Sequence, residues 1–518
     1  MPTFCIGHFE FKTFVDPIAT YLFKELPESP WLKVVVGEPS RAVCTTPSEI
    51  TVGQTFDYYL RLEDRWGNPV GSSLKFSHKG WSEPGTYTVR AEDKDTQMSA
   101  ESNPIDVLKE IPMHCKFWAD FHGQSGETIG SNTPVGGDRN VYFASEGGMI
   151  SRSSCRLLPG GTSIYGDSVT AAELFKNLKK QADPKSFAFA HVGGRYADLN
   201  MHDGDVEVAV EVHSAWGTFE WFLREALERG YRVGFVANSD GHKADPGASY
   251  PGNSKFSALG GLTCVLAENL DRESVYQAIK VRHFYATSGC RALLDLSMHL
   301  GDGKSAMMGD IVTEWSGDPL LHVRLAGSTP IERVDVFNSL ELIHAFRPYA
   351  DKDLGRRVKV LWNGARVRGQ DRVVDWDGTL TVTGSRIASA QAINFWNPDQ
   401  PLEKLSEIQL AWKSFSTGAA KGLILTLAEG SGGQLEINTA QIKARCALDE
   451  LGLEPKVWEL GGLEKELRIY RLPDKLEKKE VSFTLPIKNL KKGDNPIYIR
   501  GMQEDGHLVW SSPVYLAW

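Results

Sequence analysis

The sequence lacks several things that would each have named a class of protein. No stretch of its 518 residues approaches the ~18 consecutive apolar residues of a membrane-spanning helix, so no membrane partner is expected. Cysteine is sparse and odd in number: seven residues, at 5, 44, 115, 155, 264, 290 and 446, with no C-x-x-C pair. That spacing excludes a disulfide framework and a structural zinc knot. Positive charge is not in excess either. With 57 basic and 66 acidic residues the net charge is −9, which argues against a phosphate-backbone binder, and no nucleic-acid partner is expected. The opening MPTFCIGHFEFKTF has no basic segment followed by an apolar run, so a cytoplasmic location is expected. Absent too are a G-x-S-x-G elbow, a P-loop, a G-x-G-x-x-G after a strand, and H-E-x-x-H. The cysteines have no histidine partner at a family-like spacing, which disfavours thiol catalysis.

What remains is an ordinary globular composition, 41% hydrophobic and 24% charged, on a chain long enough for about three domains. Residues 1–30 form a poorly patterned lead-in. Residues 31–110 carry short alternating segments, clearest at Thr55–Leu60 and Thr86–Arg90, with turns at Asp64–Pro69 and Glu83–Gly85. They predict a small β-sandwich-like domain. Residues 111–300 alternate apolar runs with amphipathic segments, the best being TFEWFLREALERG, where apolar residues at 219, 222, 223, 226 and 227 form a stripe of period 3.6. That alternation predicts an α/β domain with a mostly parallel sheet or barrel. From 301 to 518 short strand patterns return, predicting a C-terminal β-rich domain.

Thirteen histidines are present, and seven of them (114, 122, 191, 202, 213, 242, 283) fall between positions 114 and 283. Four lie at predicted strand ends: Asp120-Phe121-His122, His191, Glu211-Val212-His213 and Asp240-Gly241-His242. In α/β folds the C-terminal edge of parallel strands is where ligands and catalytic groups gather. Asp240 and His242, two apart in an extended segment, would point to one side and converge on one ion. Imidazole and carboxylate are the N/O donors used by zinc, manganese and iron. Asp120-x-His122 repeats the pattern, followed by Gln124, a weak ligand or a hydrogen-bonding group. Glu211 shares a side of its strand with His213, as a ligand or as a partner behind one. Gly193-Gly194 after His191 allow close backbone approach, and Arg195 suits an anionic substrate group. His202, in the polar stretch NMHDGD, is the weakest of the set.

The motifs DFHGQSGET, AHVGGRYADL, VEVHSAWGTFEW, NSDGHKADPGASYPG, GGLTCVLAENL and RHFYATSGCRALLD, with WGNP and WSSPVYL near the two ends, resemble a branch of the polymerase and histidinol phosphatase (PHP) superfamily. That branch includes proteins similar to bacterial carbaryl hydrolases. The resemblance implies a distorted (β/α)7 barrel flanked by β-sandwich-like domains, holding two or three divalent ions (Zn, Mn or Fe). On the family pattern the ligands fall on His122, Gln124, His191, His213, Asp240 and His242, with Asp120 beside them. It also implies a segment of several tens of residues, carrying a metal-bridging glutamate, where Ser131-Asn132 here runs directly into Thr133-Pro134.

The expected activity is a metal-dependent hydrolase in which an activated water attacks a phosphoester, ester or carbamate of a small molecule. Arg195 and Tyr196 would position the substrate. The competing reading is a catalytically silent binding module for carbohydrate or protein, its 14 tryptophans serving as aromatic platforms.

Overall fold

The structure, a computed structural model, describes residues 2–123, 136–148, 168, 170–180, 185–243, 247, 250–252, 254, 256–301, 303–369 and 371–518. Gln124 and the Asn132–Thr133 junction lie outside the described residues. Among the described residues there are 42 strands and only three α-helices.

The N-terminal strands form small sheets around a shared core. Pro39–Thr45, Phe56–Asp64 and Pro69–His78 make one antiparallel sheet, and Glu49–Thr51, Ile105–Leu108 and Gly85–Tyr87 a mixed one, its first pair parallel. Cys44, Ile50, Phe56, Leu60, Ile105 and Val107 fill the space between them. The hairpin at 64–69 is set by Asp64, whose Oδ1 accepts the N–H of Trp66 (2.8 Å) and of Asn68 (3.0 Å).

Three central strands, Ser186–Ala190, Glu207–Ser214 and Gly234–Ala237, pair parallel to one another. Arg139–Phe143 adds to their edge in the antiparallel sense. All eight residues of Glu207–Ser214 are buried, as expected of a strand covered on both faces. Each helix has a local cause. Ala171–Lys180 starts on a reciprocal cap between Thr170 and Glu173. Glu220–Glu228 buries Trp221, Phe222, Leu223, Ala226 and Leu227, and ends in a Schellman turn at Gly230 (φ 73°), where Tyr231 N donates to Ala226 O. Arg272–Lys280 is capped by Asp271.

The expected (β/α)7 barrel is not formed. Cys115–Ala119, Leu262–Ala267 and Phe284–Thr287 pair antiparallel, and the last of them hydrogen-bonds to Leu508–Ser511. The sheet continues through Asp494–Gln503, Ile331–Asn338 and Glu341–Phe346. Central strands and strands from the last 40 residues are therefore one sheet, and its far side belongs to C-terminal strands rather than to further βα units. A strand–helix–strand pattern in sequence carries no direction, and Leu262–Thr287 has that pattern while running antiparallel. Ion pairs tie the two parts together: Arg500 to Glu220 (2.6 Å) and Arg232 to Asp494 (2.7 Å).

The strand Leu293–Gly301 spans residue 300 and joins Leu320–Ala326 and Glu480–Pro486 in a sheet packed on the same core. Between these strands, residues 354–473 form a separate sandwich of two five-stranded sheets around Trp362, Trp376 and Trp412. Among the described residues no helix is long and apolar enough to cross a membrane.

Candidate metal centre

The loop after Cys115–Ala119 meets the ends of the parallel strands through two polar side chains. Asp120 Oδ1 accepts backbone N–H from His122 (3.1 Å) and Ser239 (3.0 Å), and Oδ2 accepts from Gly247 (2.9 Å). Asn238 takes the Phe121 N–H on its side-chain oxygen (2.9 Å) and donates to Glu211 Oε2 (3.0 Å). The Tyr142 hydroxyl donates to Phe121 O. These bonds hold His122 against the segment that carries Asp240.

Around that junction nitrogen and oxygen donors crowd. Asp240 Oδ1 lies 3.2 Å from His122 Nε2 and 3.2 Å from His242 Nδ1, while its Oδ2 lies 3.1 Å from His191 Nε2. On the other side of the same ring, His191 Nδ1 is 2.9 Å from Glu211 Oε1. The His122 and His191 rings are 4.8 Å apart, and single donor atoms of His122, His191 and Glu211 lie within 4.8 Å of one another. Glu211 is 0% exposed and Asp240 2%.

Proximity without alignment is the telling property of this cluster. His122 Nε2, His191 Nδ1, Glu211 Oε1, Asp240 Oδ1 and Asp138 Oδ1 are buried, and none has a hydrogen-bond partner. Buried polar atoms are normally satisfied, and leaving several together unpaired is costly. A cation takes nitrogen and oxygen donors that lie close together, and His122, His191 and Glu211 each offer one such atom. Burial alone would depress His191, but Glu211 and Asp240 on either side raise it well above its ordinary value. Burial, reinforced by the neighbouring His191, lowers His122. Burial raises Asp138. Asp240 is pushed up by burial but ends below its usual range because His191, His122 and His242 surround it.

Backbone geometry serves the same point. Asp240 (φ 43°) and His242 (φ 53°) are both left-handed, so they converge through a strained turn and not along an extended strand. At Gly193 a Cβ would sit 2.8 Å from His191 Nε2 and 3.2 Å from Asp138 Oδ2, so only glycine lets this loop close over the donors.

No protein-family model matches the chain. No solved structure matches it at a significant level. Similarity is found to uncharacterized proteins of Chlamydia pneumoniae (28% identical), Chlamydia trachomatis serovar D (25%) and Chlamydia muridarum (21%), each covering 58% of this chain. The chain covers 64% of the length of each of these curated relatives, less than two thirds.

The structure brings His122, His191, Glu211, Asp240 and His242 together, and among the described residues it gives Asp120, His213, Arg195, Tyr196 and His202 other surroundings; Gln124 lies outside the described residues. Asp120 uses both oxygens on backbone N–H groups, so it shapes the loop. His213 faces elsewhere: its Nε2–H donates to Leu259 O (2.9 Å) and its Nδ1 accepts from Thr218 Oγ1 (2.9 Å). Burial pushes it down to about 4, and its ring is a satisfied neutral imidazole. The register shift between Glu211 and His213 explains the divergence, since a bulge breaks the same-side rule for residues two apart. Arg195 is exposed and contributes its backbone N–H to Asp138 Oδ2 (3.2 Å). Tyr196 packs edge-on to Trp221 (5.8 Å), outside the donor cluster. His202 pairs with Glu207 (2.8 Å) and stacks on Tyr231.

Two contributors escape the sequence reading altogether. Asp138 sits in the GGDRN turn before the strand Arg139–Phe143, and its carbonyl accepts His191 N–H (3.1 Å). Arg372 comes from the C-terminal sandwich and is 3% exposed. Its Nη2 donates to Gly193 O, its guanidinium lies over Trp216 (5.3 Å) and Phe219 (5.4 Å), and its Nη1 is buried without a partner. Burial brings it down to about 10 against the opposing pull of Asp240 and Asp138. The GGD turn is a signal that could have drawn attention to Asp138; nothing local marks Arg372.

Proposed function

We propose that the protein is a divalent-metal-dependent hydrolase acting on a phosphoester, ester or carbamate of a small molecule. The observation that carries this reading is the set of buried, hydrogen-bond-orphaned donors on His122, His191, Glu211, Asp240 and Asp138. Such a donor set, with imidazole nitrogens and carboxylate oxygens mixed, fits zinc, manganese or iron. The ligands are His122, His191, Glu211 and Asp240, with Asp138 beside them. A divalent ion bound there supplies Lewis acidity, lowering the pKa of water and polarising the scissile group.

The chain's own residues do the rest. Asn238 holds Glu211 in place through its amide, and Gly193 keeps the loop over His191 close. Arg372, with Nη1 unpartnered and the charges of Asp240 and Asp138 acting on it, would stabilise negative charge developing on the substrate. His242 keeps Nδ1 on Asp240 and is 42% exposed along its side chain, which leaves Nε2 to pass a proton to the leaving group at the rim. Its ring stacks on Phe256 (5.1 Å), which fixes that orientation.

The test is elemental analysis of the purified protein together with assays on aryl phosphates, esters and carbamates. His191→Ala and Asp240→Asn should lose both metal and activity. Full metal content in both variants would refute the assignment.

A further inference from the structure

A second cleft, of about 420 Å³, lies where the N-terminal sheets meet the central sheet, within the size range of small-molecule sites. Arg61, Tyr59, Tyr250, Arg291, Ser328 and His507 line it. Its charge balance is unusual. Glu63, fully buried, is shared between two arginines: Oε2 takes Arg41 Nε (2.6 Å) and Oε1 takes Arg61 Nη2. That leaves Arg61 Nε and Arg41 Nη2 buried without hydrogen-bond partners. Arg41 lies flat over the Tyr250 ring (3.3 Å). Arg291 has neither a hydrogen bond nor an ion pair among the described residues, though it is half-buried and faces Arg61 across the cleft. Burial lowers it, and the Arg61 charge lowers it further.

Among the described residues no carboxylate pairs with Arg291. Glu101 is held by Lys479 (2.8 Å) and Thr88 (2.6 Å), and Asp505 accepts the His507 N–H (3.1 Å). Arg61 and Arg291 carry like charge across the cleft, with Glu63 shared between Arg61 and Arg41, and a planar donor fork is the shape that recognises carboxylate or phosphate in two-point contact. Ser328 and the two tyrosines add neutral polar and aromatic walls. We propose that this cleft binds a small organic anion bearing a carboxylate or phosphate group, gripped by Arg291 and Arg61. The site is separate from the metal cluster and the inference does not rest on the hydrolase reading, although Gly247, which donates to Asp120, also lines the cleft.

The test is calorimetric titration of chelator-treated full-length protein with inorganic phosphate and, separately, with malonate, each against chloride at equal ionic strength. Stripping metal first removes the other anion-attracting centre. One saturable site for either anion is expected, phosphate-selective or carboxylate-selective binding telling the two chemistries apart. Arg291→Gln should weaken it at least tenfold, and Arg61→Gln, at a more exposed position, several-fold. Asp240→Asn should leave it unchanged. The proposal is overturned if neither anion binds saturably, or if Arg291→Gln or, should that variant not fold, Arg61→Gln binds as tightly as the parent.

Discussion

Lys421 sits in the strand Gly418–Leu427 of the C-terminal sandwich, in register with Trp362, and is 7% exposed. Its ammonium has one aromatic neighbour, the Phe415 ring at 4.8 Å, and burial alone pulls it from 10.5 down to about 8. The sign of the linkage follows. Between pH 8 and 10.5 the unfolded chain holds a proton at this lysine and the folded chain does not, so stability rises with pH across that window. Below pH 8 the whole penalty is present, about 3 kcal/mol at 1.36 kcal/mol per pKa unit. Lys421→Met keeps the stem and removes the charge. At pH 7 it should stabilise the sandwich by about 2–3 kcal/mol, after roughly 0.5–1 kcal/mol is allowed for the lost cation–π contact. By pH 10.5 the gain should fall to near zero. The assay is urea unfolding followed by tryptophan fluorescence, reading the transition of the unit that contains Trp362, Trp376 and Trp412. Midpoints that coincide at pH 7, or a gain that persists unchanged at pH 10.5, would refute the reasoning. A lysine this costly lines the same narrow cleft as Phe256, the ring that stacks on His242.

Arg372→Met should lower the catalytic rate by about 10²–10³-fold while leaving metal content unchanged, because its unpartnered Nη1 serves charge developing in the transition state; equal loss of metal would assign it a structural part. Gly193→Ala should reduce metal occupancy, since the added methyl meets His191 Nε2 at 2.8 Å; elemental analysis checks this, and parental occupancy would show that the loop yields. His213→Ala should cost about 1–3 kcal/mol of stability by stranding Leu259 O, with metal content intact, and a metal-free product would return His213 to the ligand set.

The sequence exposed the site more fully than the fold. Histidines at strand ends and two D-x-H pairs pointed to His122, His191, Asp240 and His242, which meet in the structure. Strand parity then misplaced His213, since one bulge turned Glu211 toward the cluster and His213 away from it. Asp120 looked like a ligand from its spacing, yet loop N–H groups claim both its oxygens. Arg372 lies about 180 residues from Gly193, whose carbonyl it grips, and no local pattern signals a contact at that separation. The barrel failed for a related reason: helical and strand periods report which face is buried, not which way a strand runs or which distant strand lies beside it.

One consequence of the shared sheet concerns how the chain is made. Phe284–Thr287 sits between Leu262–Ala267 and Leu508–Ser511, so one edge of this central strand stays unpaired until more than 200 further residues have been synthesised. At about 5–20 residues per second that wait is roughly 10–45 seconds, long enough for an open apolar edge to meet another nascent chain. The intervening sandwich at 354–473 can close in the meantime, for it has its own core. Assembly of the donor cluster is then governed less by the residues around it than by the late arrival of a strand that contributes no donor to it.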